Sequence, residues 1–194
     1  DWIRGVADQL AAEGFIAVAP DLLSGTGPNG GGTASLGKRD NVIAAIRTLE
    51  PAERTRRLNS VHTYALAIPA GNGLIGSMGF SWGGKASFAY ALEKLGLNAA
   101  VVYYASFPDR DTNYSGGNTP VLGLYGEIDE RVNSTISRAK KSMADYGAYY
   151  EPIIFKGAGH GFLRAQLGQE GANMRATAQA WLRTVEFLRE HLDR

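Results

Sequence analysis

One stretch of this sequence decides the fold class: LIGSMGFSWGG, residues 74–84. The apolar run at 74–78 is typical of a buried strand, and the G-x-S-x-G pattern at 79–83 is typical of a sharp turn from a strand into a helix. Glycines flank the serine because a Cβ at those places would collide with neighbouring backbone. Such a turn raises the Ser81 hydroxyl above the sheet edge, near the free N–H groups of a helix N-terminus. The same letters also fit a glycine-rich turn with an incidental serine.

The composition is that of an ordinary globular chain of 194 residues, with 44% hydrophobic and 20% charged residues. This length is enough for one sizeable core. The net charge is +1, and the only dense basic cluster, at residues 54–57, lies in a predicted helix and is typical of a solvated face. We therefore predict neither a nucleic-acid partner nor a membrane partner, and the composition indicates no oligomeric state.

The sequence has no cysteine and no long apolar run, and each of these absences excludes a class of site or protein. There are no cysteines, which excludes disulfides, thiolate metal sites and a cysteine nucleophile. No apolar run approaches the ~20 residues that a helix needs to cross a bilayer. Residues 1–13 carry three acids and one basic residue, which is not the pattern of a signal peptide. The sequence leaves open whether the protein is cytoplasmic or exported.

Apolar periodicity alternates between helical and strand patterns along nearly the whole chain. Helices are predicted at residues 1–13, 42–49, 53–67, 82–95, 132–147 and 173–192. Strands are predicted at residues 15–19, 74–78, 99–104, 121–125 and 152–155. Continuous apolar strands separated by helices predict an α/β fold, with a mostly parallel sheet covered by helices on both faces. We expect residues 1–194 to form a single domain.

A candidate acid follows the strand predicted at 121–125. In open α/β sheets, reactive groups gather beyond the carboxyl ends of the strands. Asp129 is our choice, because its short side chain can point back toward the sheet from just before the next helix. An aspartate at that place is equally explained as a helix N-cap. Glu127 is the alternative acid.

A candidate base follows the last predicted strand, in the loop KGAGHGF at residues 156–162. His160 is flanked there by small residues, which leaves room for the ring of a general base with a pKa near neutral. The other two histidines are His62, in a predicted helix, and His191, near the C-terminus. A nucleophile, then an acid, then a histidine, each after its own strand, is the chain order of a triad on this kind of sheet.

A competing motif stands at Gly25–Gly30, which matches G-x-G-x-x-G after a predicted strand. A dinucleotide-binding loop must open a helix so that the pyrophosphate lies at the helix N-terminus. Pro28, Gly31 and Gly32 oppose immediate helix formation. We therefore do not expect a nucleotide cofactor at this loop.

Three motifs together resemble the dienelactone hydrolase family of α/β-hydrolases: APDL at 19–22, GFSWGG at 79–84 and GAGHGF at 157–162. The resemblance covers essentially the whole chain. It implies an esterase or lactonase acting on a small-molecule ester or lactone, with no cofactor and no metal.

The resemblance also implies roles for individual residues. Ser81, Asp129 and His160 would form the catalytic triad, and the backbone N–H of Trp82 would be one oxyanion donor. Arg164 matches a position that helps to hold the carboxylate of an acidic substrate.

Aromatic residues near these motifs are candidates for the substrate pocket. Phe162 and Trp82 adjoin the catalytic positions, and Tyr104 stands at the carboxyl end of a strand with Tyr103 and Phe107. Packing in the core explains buried aromatic residues equally well.

The sequence departs from the family pattern in three places. Ser81 stands where the family more often has cysteine, either as the nucleophile of a native serine esterase or as a cysteine-to-serine variant with weakened activity. In both cases the base must remove the serine proton during attack. An arginine common shortly after the Pro-Asp-Leu motif is not evident at residues 23–25. The chain also begins at what resembles the first helix of the fold, and we expect the native protein to extend several tens of residues before Asp1. The loop that normally donates the second oxyanion N–H would lie in that extension. The alternative function is that of a non-catalytic relative that binds a small ligand or partner.

Overall fold

A four-stranded parallel sheet is the framework of the computed structural model, which describes residues 2–108 and 118–193. The strands run in the order β1-β2-β3-β4, with β1 at Gly76–Phe80, β2 at Ala99–Tyr103, β3 at Val121–Gly126 and β4 at Tyr150–Phe155. The helices are α1 at Trp2–Ala12, α2 at Arg39–Thr48, α3 at Pro51–Leu66, α4 at Trp82–Glu93, α5 at Glu130–Asn133, α6 at Ile136–Asp145 and α7 at Ala172–Leu192. The backbone divides into two units, residues 1–71 and 72–194, and the expectation of a single domain stays a prediction.

Helices cover both faces of the sheet in the second unit. Ser77 in β1 shares a hydrogen bond of 2.7 Å with Ser87 of α4. The adjacent residue, Gly76, faces Leu188 and Leu192 of α7 so closely that a Cβ would lie 3.2 Å from each. Because successive residues of a strand point to opposite faces, α4 and α7 lie on opposite sides of the sheet. The predicted α/β class is confirmed.

The central strands β2 and β3 are buried along their whole length. Their sequences, AAVVY and VLGLYG, are almost entirely apolar, as expected for strands with a helix layer on each face. All three strand pairs are parallel, so the carboxyl ends of the strands meet at one edge of the sheet. The loops that follow β1, β3 and β4 therefore begin at the same edge.

The first unit contains α1, α2 and α3 joined by an irregular segment. Asp21 organises that segment: its carboxylate accepts hydrogen bonds from the backbone N–H groups of Leu23 and Thr33 and from the Thr33 hydroxyl. Burial raises the pKa of Asp21, but these hydrogen bonds outweigh it and hold the pKa below the usual value. Arg57 of α3 donates to the carbonyl oxygens of Leu22 and Ser24, which fixes the segment against α3.

Two predictions about individual elements were wrong. No strand forms at residues 15–19, where Ile16 and Val18 are 50% and 39% exposed. A strand needs a hydrogen-bonded neighbour, and none of the described strands pairs with this segment. The helix predicted at 132–147 is divided into α5 and α6, because the hydroxyls of Ser134 and Thr135 bond back to carbonyls of α5 and so compete with a continuous helix.

The glycine-rich motif at residues 25–30 does not open an α-helix. Its last three residues, Pro28–Gly30, form a short 3₁₀ turn, another follows at Thr33–Leu36, and α2 begins only at Arg39. The geometry that a dinucleotide pyrophosphate requires is therefore missing from this loop. In the part of the chain that the structure describes, no helix is both long enough and apolar enough to traverse a bilayer.

Candidate active site

Ser81 lies at the turn between β1 and α4 in a strained backbone conformation. Its φ of 51° is in the left-handed region, which residues with a side chain rarely adopt. The turn is held from both sides, because the Ser81 N–H donates to the Tyr103 carbonyl at 3.0 Å and the Ser81 carbonyl accepts from the Lys85 N–H at 3.0 Å. Strain of this kind persists only where the surroundings enforce it, and it is characteristic of functional sites.

Two glycines allow this turn to form. A Cβ on Gly79 would overlap the backbone of Gly83, and a Cβ on Gly84 would lie 2.7 Å from the Ala105 Cβ and 3.0 Å from the Tyr103 carbonyl oxygen. The helix therefore starts in direct contact with the strand that precedes it. The expected collision is found at Gly79, but the expectation was wrong for Gly83, the other glycine of the G-x-S-x-G pattern, because a Cβ there would have nothing within 4 Å.

Asp129 follows β3 and is 8% exposed. It precedes α5, yet its side chain makes no capping hydrogen bond to that helix. Its loop is fixed by Asn133, whose side-chain amide donates to the carbonyl oxygens of Gly126 and Glu127. Glu127, the alternative acid, instead accepts a hydrogen bond from the Gly157 N–H at 2.8 Å.

His160 joins the other two side chains. Its Nδ1 lies 2.5 Å from Asp129 Oδ2, and its Nε2 lies 3.0 Å from Ser81 Oγ. Since a carboxylate can only accept, Nδ1 carries the proton, and the Nε2 of a neutral ring then accepts from the Ser81 hydroxyl. The side chain of His160 is 40% exposed and that of Asp129 is 7% exposed. The imidazole is thus partly open to solvent, and its Nδ1 side is held by the buried Asp129 carboxylate.

Tyr104 packs directly against the imidazole. The two rings meet edge to face, with centroids 5.2 Å apart, and Tyr104 itself has a positive φ of 37°. Burial raises the pKa of the Tyr104 hydroxyl, as does neighbouring Tyr103, whereas the positive charge of Arg164 opposes the rise. Arg164 is itself exposed and lies on the same loop as His160.

The remaining aromatic candidates have different positions. Phe162 is fully buried and packs against Tyr104 at 5.3 Å and Phe155 at 5.4 Å, which makes it part of the core beneath the histidine. Trp82 is half-buried and is the first residue of α4, where its backbone N–H lies outside the hydrogen-bond ladder of the helix. Phe107 packs against Phe88 and is 3% exposed.

The other two histidines lie in different surroundings. His62 is buried within α3 in the first unit, and His191 packs against Phe187 near the end of α7. Within residues 2–108 and 118–193, no three histidine, cysteine, aspartate or glutamate side chains are grouped so as to hold a metal ion.

One residue that sequence reasoning missed is Asn173, in the first turn of α7. It is 3% exposed, and its side chain hydrogen-bonds the backbone on both sides of His160, at Gly159 and Ala165. The sequence offers little signal for this contact, since an asparagine near a helix start is usually read as a cap.

Comparison with known proteins gives a consistent result. A profile of the dienelactone hydrolase family matches residues 1–192. A Methylorubrum extorquens protein named "Putative carboxymethylenebutenolidase" is 26% identical over 210 residues, which cover 98% of this chain and 68% of that protein. Carboxymethylenebutenolidase 1 of Cupriavidus pinatubonensis is 25% identical over 193 residues, covering 96% of this chain and 79% of that protein.

A solved structure has the same fold. The crystal structure of a dienelactone hydrolase-like promiscuous phosphotriesterase from metagenomic libraries superposes with a TM-score of 0.81 at 20% identity. The match covers 97% of this chain and 80% of that one. At this level of identity the comparison establishes the α/β-hydrolase fold.

Proposed function

The chain belongs to the dienelactone hydrolase family, and from that premise we propose that it cleaves small carboxylic esters or lactones through a serine acyl-enzyme. The protein is a hydrolase of the carboxymethylenebutenolidase type, as its relatives' names indicate. The observation that carries the finer proposal is the chain of two hydrogen bonds from Asp129 to His160 to Ser81, at 2.5 and 3.0 Å.

The proposed reaction begins with attack of Ser81 Oγ on the ester carbonyl carbon. His160 Nε2 takes the hydroxyl proton as the new C–O bond forms, and Asp129 holds the ring in the required tautomer and stabilises its charged form. The carbonyl oxygen becomes an oxyanion, toward which the Trp82 N–H donates. This N–H is supported in that role by its place at the start of α4, where unpaired donors favour negative charge.

Collapse of the tetrahedral intermediate breaks the bond to the leaving alcohol, which takes the proton from His160. Water then enters, gives one proton to His160 Nε2 and attacks the acyl carbon. The second collapse releases the carboxylic acid and returns the proton to Ser81. The exposure of His160 on one side is compatible with entry of this water.

Arg164 and Tyr104 are proposed as substrate contacts beside the imidazole. Arg164 offers a positive charge within electrostatic reach of Tyr104, which suits a substrate that carries a carboxylate. Phe162, also predicted as a contact, is proposed to act from the buried side by supporting Tyr104. Comparing the parent with Arg164→Gln on two substrates that differ only in a free carboxylate or its primary amide would measure the contribution of Arg164.

The test is hydrolysis of p-nitrophenyl acetate and butyrate, with Ser81→Ala as the variant and Ser134→Ala as the matched serine control. Removing a triad nucleophile should lower kcat by roughly 10³-fold or more, because its effect is that of the whole proton-relay unit. Ser134→Ala should keep the parent rate. Equal rates for Ser81→Ala and the parent would overturn the proposal and favour the non-catalytic alternative.

A fluorophosphonate probe and the Ser81→Cys variant refine the test. The probe should add one covalent group to the parent at Ser81 and none to Ser81→Ala, as read by intact mass and peptide mapping. Ser81→Cys, assayed with short acyl esters and unsaturated lactones, reports whether the site favours the thiolate chemistry that is more usual in the family. Labelling of Ser81→Ala at the parent's rate would contradict the assigned nucleophile.

A further inference from the structure

The loop that carries His160 has little regular structure of its own. Residues 156–168 form neither helix nor strand. Gly157 and Gly161, on either side of the histidine, have φ values of 69° and 74°. Glycine gives the chain this conformation but also leaves it the greatest freedom, so the loop needs contacts from elsewhere to hold one shape.

Asn173 supplies two of those contacts from the start of α7. Its Oδ1 accepts a hydrogen bond from the Gly159 N–H at 2.9 Å, and its Nδ2 donates to the Ala165 carbonyl at 2.8 Å. One buried amide therefore bridges the residue directly before His160 and a residue five positions after it. In a buried setting, both groups of the amide and both backbone partners need these bonds.

A further contact lies one helical turn along α7, on the same face. The Thr177 hydroxyl donates to the Phe162 carbonyl at 3.1 Å. Asn173 and Thr177 together contact the loop backbone at three places around His160. The bond nearest the imidazole is the one to Gly159.

The helix that presents Asn173 is itself fixed to the sheet. The Thr184 hydroxyl, which is fully buried, shares a hydrogen bond of 2.6 Å with the hydroxyl of Tyr103 in β2. Arg183 binds both carboxylate oxygens of Glu151 in β4, each at 2.8 Å. The position of Asn173 is thereby defined relative to the strands that also carry the other parts of the site.

We infer that Asn173 is a positioning residue for His160: it sets the place of the imidazole by fixing the Gly159 peptide. The inference rests on the proposed Ser81–His160–Asp129 mechanism and adds a residue that touches none of the reacting atoms. The Ser81 Oγ to His160 Nε2 distance of 3.0 Å leaves little tolerance, and a misplacement of about 1 Å in such a group can cost ~10²-fold in rate.

The test compares Asn173→Leu, Asn173→Asp and Thr119→Val. Asn173→Leu keeps the approximate volume but removes both hydrogen bonds. Asn173→Asp keeps the acceptor for the Gly159 N–H and loses the donor to Ala165. Thr119→Val removes a buried hydroxyl that donates to the Leu97 carbonyl at 3.0 Å just before β3, at the sheet edge opposite the histidine loop, and so reports what loss of stability alone does.

Asn173→Leu should lower kcat for p-nitrophenyl acetate by about 10- to 100-fold, while KM changes by less than about threefold, because a transition-state interaction is lost and ground-state binding is not. Asn173→Asp should recover most of that kcat. Thr119→Val should lower Tm and leave kcat at the parent value. A parent kcat in folded Asn173→Leu, or an equal kcat loss in Thr119→Val, would overturn the inference. If Asn173→Leu does not fold, Asn173→Ser, which is too short to reach both partners, takes its place with the same expectation.

Nuclear magnetic resonance of the His160 ring separates this inference from the proposed function. In Asn173→Leu the Nδ1 proton and ring nitrogen resonances should shift and broaden, whereas they should be unchanged in Thr119→Val. This readout does not need turnover. If Ser81→Ala keeps the esterase rate, the mechanism fails whatever the ring resonances do; if those resonances are the same in Asn173→Leu as in the parent, the positioning role fails.

Discussion

The substitution Gly126→Ala should push the loop after β4, which carries His160, away from the end of β3, which precedes Asp129. Gly126 ends β3, and a Cβ there would lie 2.5 Å from the Ala158 carbonyl oxygen and 2.7 Å from the Gly159 carbonyl oxygen. Real Cβ contacts essentially never fall below 3.0 Å, so the backbone just before His160 must retreat. The required movement is about 0.5 Å or more, since a shorter one leaves an overlap that close-packed backbone does not tolerate.

That movement acts directly on the proposed proton relay. The His160 Nε2 to Ser81 Oγ distance is 3.0 Å, and a retreat of the histidine carries it to about 3.5 Å, beyond an effective hydrogen bond. We expect kcat to fall by roughly 10- to 100-fold, in line with the cost of ångström-scale misplacement of a catalytic group. Overpacking should lower the free energy of unfolding by about 1–3 kcal/mol as well.

The matched control is Gly159→Ala, in the same loop and next to the same histidine. A Cβ there would meet only the side chains of Gln169 and Ile128, at 3.4–3.6 Å, which is ordinary van der Waals contact. Both variants are assayed for p-nitrophenyl acetate hydrolysis and for thermal unfolding by circular dichroism. Gly159→Ala should keep a kcat close to the parent. A Gly126→Ala protein with parent kcat and Tm would refute the reasoning that contact between these two loops sets the histidine position.

Two further predictions concern stability. Gly84→Ala should lower the free energy of unfolding by about 1–3 kcal/mol, because its Cβ would overlap Ala105. Gly83→Ala has nothing within 4 Å of its Cβ and should raise the free energy of unfolding by about 0.5–1 kcal/mol. Urea unfolding measures both variants, and equal effects would contradict the packing argument. Hydrogen bonds from Arg183 hold the pKa of Glu151 below its ordinary 4.5, so the pair stabilises the fold above that pH and the contribution is lost as pH falls through the lower folded-state pKa. Glu151→Gln should therefore destabilise the protein by about 0.5–1 kcal/mol at pH 7 and by less at pH 3, and a pH-independent effect in the unfolding experiments would count against it.

Local signals in the sequence were sufficient for the elements of the sheet. The strands at 121–125 and 152–155 are short apolar runs beside turn residues, and each forms within two residues of the predicted bounds. The segment Phe15–Ala19 carries the same signal and forms no strand. An apolar run indicates that a segment is buried. A strand also requires a neighbouring strand to which it can hydrogen-bond, and the sequence of the run does not identify that neighbour.

The positions of the candidate site residues were predictable for the same reason, because each follows a strand whose carboxyl end is at the same sheet edge. The sequence could not distinguish a capping role for Asp129 from a bond to a histidine 31 residues later. It also gave no indication that Glu127 would bind the Gly157 N–H instead. Both outcomes depend on distances between loops that are fixed only when the strands pair.

The distance between Ser81 and His160 depends on how each loop leaves the sheet. Directly beyond β1, β2 and β3, a backbone N–H bonds to a carbonyl of the next strand: Ser81 to Tyr103, Tyr104 to Leu124, and Glu127 to Phe155. Two of the non-glycine residues with a positive φ, Ser81 and Tyr104, are the first residues after β1 and β2. The separation of Ser81 and His160 is therefore set by three successive parallel registers, each of which is determined by buried side-chain packing. A slip of one residue in any register would turn a loop toward the opposite face, so the packing that stabilises the sheet also fixes the geometry of the proposed proton relay.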